Sequence, residues 1–323
     1  VSRLLCAPEI PTFTELQFFL KNGSPHRALR KDQAINHVHW ATTRRAAASE
    51  LRAFAIDHRA QLEEMADAAG APRDRIRAFK LLAVKAAAEV AGGRPGFGIL
   101  LDGNHGREAL FRAADHPLWI GRPVEKPGSR PLDFDLENAG SLGAALNEWP
   151  VTQTVKCLAF MHPDDPEDLR LRQERELLRV QDAARTFSKE TMIEIIAGKH
   201  GPLGQDTVAR QLARLYDIGL FPDWWKLEPQ ADAAAWAAIG AVIRARDPYC
   251  RGIVVLGLDA PEAELGKAFA AAKTTPEVKG FAVGRTLWSD AAKAWFAGRT
   301  SDAEAVNEMA ARYRALCEAW EKA

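Results

Sequence analysis

The chain has 323 residues, of which 47% are hydrophobic and 27% are charged, a composition typical of a globular protein with a full core. Lysine plus arginine and aspartate plus glutamate both total 43, so the formal net charge of +0 gives no general attraction to nucleic acid or to an anionic membrane. No apolar run approaches the roughly 18 residues that span a bilayer, the start lacks signal-peptide features, and the four cysteines lack CxxC spacing. We therefore expect a cytoplasmic protein without disulfides or structural zinc, and without nucleic-acid or membrane partners.

The first 43 residues differ from the rest of the chain. They contain Pro8 and Pro11, a short amphipathic stretch at 14–20, and the turn-forming sequence Asn-Gly-Ser-Pro at 22–25. This pattern predicts the end of one unit followed by a linker. Residues 44–323 are predicted to form a single domain.

In that domain, short apolar runs alternate with longer helical patterns, which is typical of βα units around a parallel sheet. The predicted strands are 53–56, 98–101, 118–121, 155–160, 192–196, 224–227, 252–256 and 280–283. The amphipathic stretches that predict helices include 167–185, 206–218, 231–246, 261–273 and 303–320. Eight strands separated by helices predict an α/β fold, the (β/α)8 TIM barrel, with a short N-terminal extension. In an open doubly wound sheet, a glycine-rich phosphate-binding sequence is expected after the first strand. This chain has Asp-His-Arg-Ala at 57–60, which disfavours that alternative.

Charged side chains lie inside or directly after six of these apolar runs. They are Asp57, Asp102, Lys156, Glu194, Lys226 and Arg285. The chemistry of a barrel is carried by the carboxyl ends of its strands, and a buried charge is costly unless it is paired or used. We therefore expect these side chains to converge on one mouth of the barrel.

Lys226 is the most informative of the six. Two tryptophans precede it and Leu227 follows it, which indicates a dry environment where a neighbouring cation such as Lys156 would favour the neutral amine. A neutral lysine can attack a carbonyl and form a Schiff base, and Glu194 on the preceding strand is a candidate for the proton transfers. The alternatives are a Lys226 that only pairs with Glu228 and a Glu194 that is only a counter-ion.

The remaining candidates concern phosphate and metals. Gly257 follows the seventh strand and Gly284-Arg285 follow the eighth, where barrels often bind phosphate through backbone N–H groups and an arginine. Asp57 and Asp102 also fit helix N-caps. The pair His37 and His39 lacks further ligands, so we favour a structural role and expect no metal and no cofactor.

The same positions resemble the class I tagatose-1,6-bisphosphate aldolase family. The matching segments are 55–59, 100–102 with Gly106, 155–156, 193–195, 226–229 and 284–285. The resemblance implies that Lys226 is the Schiff-base residue, with Glu194 and Lys156 as its active-site partners. It also implies that Gly284 and Arg285 contact phosphate. The chain departs from the family at His58 and Ala60, where glutamine and glycine are usual, and this leaves the sugar contacts open.

A closer resemblance covers essentially the whole chain. Segments 36–44, 119–125 and 220–229 are similar to the aldolase-like domain fused C-terminally to 5-dehydro-2-deoxygluconokinases of bacterial myo-inositol catabolism. This implies that residues 1–43 are a remnant of a sugar-kinase domain plus a linker, and that 44–323 are a class I aldolase-like barrel. The implied partners are the fused kinase domain and a phosphorylated keto-sugar acid.

The reaction so implied is cleavage of 5-dehydro-2-deoxy-6-phosphogluconate to dihydroxyacetone phosphate and malonate semialdehyde. Asp57 would orient or deprotonate the substrate hydroxyl. The candidate substrate-binding residues are Gly257, Gly284, Arg285, Asp102 and His58, with Arg59, Arg122 or Lys126 as the cation for the substrate carboxylate. The alternatives are an aldolase for another phosphorylated ketose, such as tagatose 1,6-bisphosphate, and a non-catalytic sugar-phosphate-binding or assembly module of the fused kinase. Homo-oligomerisation stays open.

Overall fold

The computed structural model describes residues 31–137, 139–230, 232–257 and 262–323. Within these residues, eight strands form a closed barrel in which each strand pairs with the next in parallel and β8 pairs with β1. The strands are β1 Leu51–Ala55, β2 Phe97–Leu100, β3 Trp119–Pro123, β4 Gln153–Phe160, β5 Thr191–Ile196, β6 Trp224–Leu227, β7 Gly252–Leu256 and β8 Val278–Val283. Each overlaps one predicted run, so the predicted (β/α)8 TIM barrel is confirmed.

Helices surround the barrel and alternate with its strands. They are α1 Lys31–Thr43, α2 Ala60–Ala68, α3 Arg75–Ala91, α4 Arg107–Ala114, α5 Leu142–Glu148, α6 Glu167–Thr186, α7 Thr207–Asp217, α8 Ala233–Arg246, α9 Glu262–Lys273, α10 Arg285–Phe296 and α11 Asp302–Lys322. The predicted helices overlap α6 to α9 and α11. Two of them are predicted to begin at Ala231 and Pro261, which lie outside the described part of the chain. None of the described helices is both long enough and apolar enough to cross a bilayer.

Alternation along the strands divides the apolar side chains into two clusters. One is small and contains Leu51, Ala53, Ala55, Leu100, Trp119, Met192, Trp224, Val254 and Ala282. The other is large and contains the residues between them, such as Phe54 and Ile99, together with the buried faces of the helices. Because successive strand residues point to opposite faces, the small cluster fills the barrel interior and the large one fills the layer between sheet and helices.

The interior series continues into charged residues toward the carboxyl ends of the strands. On β1, positions 51, 53 and 55 lead to Asp57, while Met192 leads to Glu194 on β5 and Trp224 leads to Lys226 on β6. Glu194 and Lys226 are also register partners between β5 and β6. The carboxyl end of the barrel therefore receives charged groups by the same alternation that packs its amino end with apolar ones.

Helix α1 packs against the amino end of the barrel. The Trp40 indole donates to Asp223 Oδ1 over 2.8 Å, and Arg44 forms an ion pair with the same carboxylate. His37 Nε2 lies 2.9 Å from Asp247 Oδ1, and its ring stacks on Phe221 at 4.4 Å. Residues 31–43, which the sequence places in a linker region, are thus held against the barrel. Residues 1–30 lie outside the described residues, so the division at residue 43 stays a prediction.

Candidate active site

Four predicted residues meet at the carboxyl end of the barrel. Lys226 Nζ lies 3.0 Å from Glu194 Oε1, and Lys156 Nζ lies 2.8 Å from Glu194 Oε2. Lys156 Nζ also donates to Asp57 Oδ2 over 3.1 Å. All four residues are buried, and none is more than 7% exposed. The structure therefore joins strands β1, β4, β5 and β6 through one continuous group of ion pairs, with Glu194 between the two lysines.

Glu125 is a fifth member of this cluster. Its Oε1 accepts a hydrogen bond of 2.6 Å from Lys156 Nζ, and the residue is 4% exposed. Glu125 lies two residues past the end of β3, in the interior series 119, 121, 123 and 125. Two interpretations of Glu125 and Lys126 are open from the sequence, a pair that reaches the barrel mouth and an exposed loop pair, because both residues follow the strand. We call Asp57, Glu125, Lys156, Glu194 and Lys226 the mouth cluster.

Glu228 does not pair with Lys226. Its Oε1 accepts hydrogen bonds from the backbone N–H groups of Ala197 and Gly198, over 2.6 and 2.9 Å. This contact ties the end of β6 to the end of β5. Burial, which outweighs these two backbone hydrogen bonds, raises the pKa of Glu228. The alternative in which Lys226 is neutralised by Glu228 is therefore not what the geometry shows.

Burial disfavours the ionised form of each carboxyl in the mouth cluster, and the balance between burial and the neighbouring charges sets the direction of each pKa shift. Burial raises the pKa of the Asp57 carboxyl, but the Lys156 and Lys226 ammonium groups outweigh it and hold that pKa well below its usual range. Burial is opposed by the same two lysines at Glu194, and its pKa is also lowered. At Glu125 burial outweighs the attraction of Lys156 and Arg59, so its pKa is raised. Asp57 and Glu194 are therefore the carboxylates that stay ionised most firmly.

The two lysines of the mouth cluster differ in their surroundings. Burial lowers the pKa of Lys156, but Asp57, Glu125 and Glu194 outweigh it and raise that pKa well above its usual range. Within the described residues, Lys226 contacts a single carboxylate, Glu194, which it shares with Lys156. Lys156 is thus locked as an ammonium group. Lys226 has the fewer contacts to break before its nitrogen can act as a nucleophile.

His58 lies beside the mouth cluster. Its Nδ1 is 3.8 Å from Asp57 Oδ1, and its ring makes an edge contact with Trp288 at 5.1 Å. Burial, together with the charges of Lys226, Lys80 and Lys156, outweighs the attraction of Asp57 and lowers the pKa of His58 to about 4. A neutral imidazole is therefore available next to Asp57 at neutral pH.

The predicted phosphate residues lie at the ends of β7 and β8. A Cβ atom on Gly284 would come within 2.5 Å of the Ala55 carbonyl oxygen and 2.7 Å of His58 Cε1, so close packing against β1 already requires glycine there. A Cβ on Gly257 would lie 2.9 Å from a Val283 methyl group. Arg285 begins α10 and lines a groove of about 1050 Å³ with residues of α2 and α11.

The three candidate cations for a substrate carboxylate lie in different places. Arg59 is buried and donates to Asp135 Oδ2 and to the Glu125 carbonyl oxygen, both over 2.8 Å. Arg122 points away from the barrel interior, where it pairs with Glu137 at 2.6 Å and stacks over Trp149 at 4.1 Å. Lys126 is exposed. Of the three, Arg59 is the one in contact with a residue of the mouth cluster.

Asp102 is held by a residue that the sequence did not reveal. Its carboxylate forms an ion pair with Lys80 and accepts a 2.8 Å hydrogen bond from the His105 backbone N–H. Lys80 is 0% exposed and lies on the buried face of α3 with Ile76, Phe79 and Ala83. The available signal was a lysine at an apolar position of this helix, because residues 76, 79, 80 and 83 share one face.

Comparison with known proteins identifies the family. No curated protein matches the chain. Among solved structures, Cgl0159 from Corynebacterium glutamicum (Brevibacterium flavum) matches with a TM-score of 0.52 and 18% sequence identity, over 95% of this chain and 98% of the other. At this identity the likeness shows the barrel fold alone. In the described residues, no group of three or more His, Cys, Asp or Glu side chains is arranged to hold a metal ion. A family model described as "Uncharacterized protein conserved in bacteria (DUF2090)" matches residues 15–323, and the chain therefore belongs to this bacterial family.

Proposed function

We propose that this protein is a class I aldolase that forms a Schiff base through Lys226. The observation that carries the proposal is the contact between a buried lysine on β6 and a carboxylate on β5 that also binds a second lysine on β4. Such an arrangement supplies a nucleophilic amine, a proton carrier beside it and a fixed positive charge. TIM barrels place their chemistry at this end of the strands, which supports an enzymatic role.

The charges of the mouth cluster divide the roles between the lysines. Lys156 binds three carboxylates and holds its proton, so it acts as a fixed cation that attracts developing negative charge on the substrate. Glu194 bridges the two nitrogens. Because the two lysines lower its pKa, it passes the proton of Lys226 on to the substrate oxygen rather than holding it. Once that proton has left, the Lys226 amine has a free electron pair.

The steps follow from these roles. The Lys226 amine attacks the substrate ketone, and loss of one water molecule leaves a protonated imine, with Glu194 carrying the protons. Asp57 removes the proton of the hydroxyl on the β-carbon, counted from the imine carbon, the bond between the α- and β-carbons breaks, and its electron pair moves to the iminium. The aldehyde product leaves, the resulting enamine is protonated, and water releases the ketone product and restores the amine.

For the substrate we propose 5-dehydro-2-deoxy-6-phosphogluconate, which gives malonate semialdehyde as the aldehyde and dihydroxyacetone phosphate as the ketone. Its support is the resemblance of segments 36–44, 119–125 and 220–229 to the kinase-fused aldolase-like domain. Gly257, Gly284 and Arg285 would bind the phosphate, and His58 would contact substrate hydroxyls. Arg59 would face the far carboxylate, because it alone of the three candidate cations touches the mouth cluster. A fused sugar kinase and a cytoplasmic location belong to the same proposal.

Borohydride trapping with dihydroxyacetone phosphate tests the mechanism. Reduction should leave a stable secondary amine on Lys226, identified by mass spectrometry of the peptide that contains it. Lys226→Met should form no adduct and show no cleavage above background. Lys199→Met is the control, because Lys199 is exposed and lies over the Phe160 ring outside the mouth cluster. It should behave like the unmodified protein.

Three outcomes would contradict parts of this proposal. An adduct on Lys156 that persists in Lys226→Met would reverse the roles of the two lysines. No adduct on either lysine, with intact phosphosugar binding by calorimetry, would support a non-catalytic module of the kinase instead. Cleavage of tagatose 1,6-bisphosphate in preference to the proposed acid would keep the mechanism and replace the substrate.

A further inference from the structure

We propose that Lys80 is a positioning residue that fixes the Asp57 carboxylate in the mouth cluster. This inference rests on the proposed function, because Asp57 is the base of that reaction. Lys80 lies on α3, outside the barrel, and its ammonium group reaches the turn that follows β1. No motif or resemblance in the sequence points to it.

Lys80 contacts the residue before Asp57 and the residue after it. Its Nζ donates to the carbonyl oxygen of Ile56 over 2.6 Å and to that of His58 over 3.0 Å. The third contact is the ion pair with Asp102. An ammonium group has three N–H donors, and here three acceptors surround it. The two residues that flank Asp57 are therefore held by one buried group.

The turn needs such support because it leaves the sheet at this point. The Ile56 N–H still bonds to the Leu100 carbonyl over 2.9 Å, as the ladder between β1 and β2 continues. Beyond it, Arg59 is the N-cap residue of α2 and makes no side-chain capping hydrogen bond. The preceding carbonyl, that of Ala55, is bound by the Trp288 indole over 2.9 Å. Side chains thus replace the sheet ladder as the means of ordering residues 55–58.

A fully enclosed lysine is costly, so a simpler role has to be weighed. Lys80 could be present only to neutralise the buried Asp102, which is 1% exposed. Removing both members of a buried ion pair avoids an uncompensated charge, whereas removing one leaves it. The double variant Lys80→Met/Asp102→Leu removes the whole ion pair together with the donor to the Ile56 and His58 carbonyls. Asp102→Asn keeps that donor, so a fall in kcat that appears in the double variant and not in Asp102→Asn belongs to Lys80 rather than to Asp102.

Lys189 offers a matched control. It is 1% exposed, and its Nζ donates to the Trp149 carbonyl oxygen over 2.6 Å. It precedes β5 and so lies at the opposite end of the barrel from the mouth cluster. Lys189→Met removes a buried lysine with a carbonyl partner, but no contact near Asp57.

The experiment compares the double variant with Lys189→Met and the unmodified protein. In the double variant we expect kcat for cleavage to fall about 100-fold, the effect of displacing a catalytic group by about 1 Å, with KM little changed. Borohydride should still trap dihydroxyacetone phosphate on Lys226. Amide hydrogen exchange of residues 56–60 should become faster. Lys189→Met should keep normal kcat and normal exchange in this turn.

A double variant with unchanged kcat, or with unchanged exchange at 56–60, would overturn the role of Lys80. If the double variant does not fold, Lys80→Met/Asp102→Asn keeps an uncharged acceptor for the His105 N–H while still removing the donor to both carbonyls, and the same two criteria apply. Failure of the proposed function is recognised separately, because the unmodified protein would then form no Lys226 adduct.

Discussion

Both ends of this barrel bury charged side chains, but the groups that contact these charges differ between the two ends. At the amino end, Asp223 is 0% exposed and pairs with Arg44, and it also accepts hydrogen bonds from the Thr191 backbone N–H and the Trp40 indole, both over 2.8 Å. Each of these contacts joins elements of the fold. At the carboxyl end, the mouth cluster consists of ionisable side chains that bind mainly one another. Burial of charge is thus common to both ends, but the partners of Asp223 include a backbone N–H and an indole, whereas those of the mouth cluster are mainly other ionisable side chains.

The comparison also explains part of the sequence resemblance. Segments 36–44 and 220–229, which resemble the kinase-fused domain, contact each other through Trp40, Arg44 and Asp223. That contact is at the amino end and fixes α1 to the barrel. Lys226 is in the same segment as Asp223 but faces the other end. The segment 220–229 therefore contains Asp223, which holds α1 at the amino end, and Lys226, which belongs to the mouth cluster.

Lys156→Met should show the largest effect on stability. It leaves Asp57, Glu125 and Glu194 buried around a position without charge, and removal of one member of a buried ion pair costs about 3–5 kcal/mol. Lys226→Met should cost less, because Glu194 keeps its contact with Lys156. Urea unfolding of both variants at neutral pH gives the two free energies. Equal losses in the free energy of unfolding would show that the two lysines stabilise the mouth cluster equally, against this prediction.

Asp223→Asn should sharpen the contrast between the two ends. The variant weakens the pairing with Arg44 while the amide can still accept from the Trp40 indole, so we expect a loss of about 3 kcal/mol in the free energy of unfolding. Adduct formation on Lys226 and the rate of cleavage, measured where the variant is folded, should stay within the range of the unmodified protein. A large fall in kcat without unfolding would mean that the amino end contributes to the chemistry.

The strands and most of the mouth cluster were predictable because both are visible locally. A charge inside an apolar run, as at Lys156 or Glu194, stands out in the sequence, and βα alternation places such runs at one end of a barrel. Arg122 lies next to residues of the interior series but one position out of phase, so it faces the helices. The same alternation, continued by two residues from Pro123, predicts that Glu125 faces the barrel interior, although it follows the strand.

The role of Lys80 and the pairing of Lys226 were not predictable in this way. A lysine in an alanine-rich helix looks like a surface residue, and its role depends on where the end of β1 passes, 24 residues earlier in the chain. The partner of Lys226 could not be decided from sequence either. Glu228 is nearer along the chain, but it follows the end of β6 and turns to the backbone of residues 197–198, whereas Glu194 is the register partner.

The smallest predicted effect concerns the pH dependence of stability. Burial and the three nearby lysines lower the pKa of His58 from its usual 6.5 to about 4 in the folded protein, against the attraction of Asp57. Between these values the unfolded chain binds a proton at this site and the folded chain does not. Stability must therefore fall as the pH decreases from about 6.5 toward 4.

His58→Gln should remove this contribution. Between about pH 6.5 and pH 4.5 the unmodified protein should lose about 2 kcal/mol more stability than the variant, as measured by urea unfolding at each pH. His116→Gln is the control, since His116 is exposed and should leave the pH profile as it is. Because burial, the mouth-cluster lysines Lys226 and Lys156, and Lys80 together keep His58 neutral, an identical pH profile in His58→Gln would show that neither burial nor these charges lower its pKa. The charged end of the barrel would then differ less from the amino end than the contacts indicate.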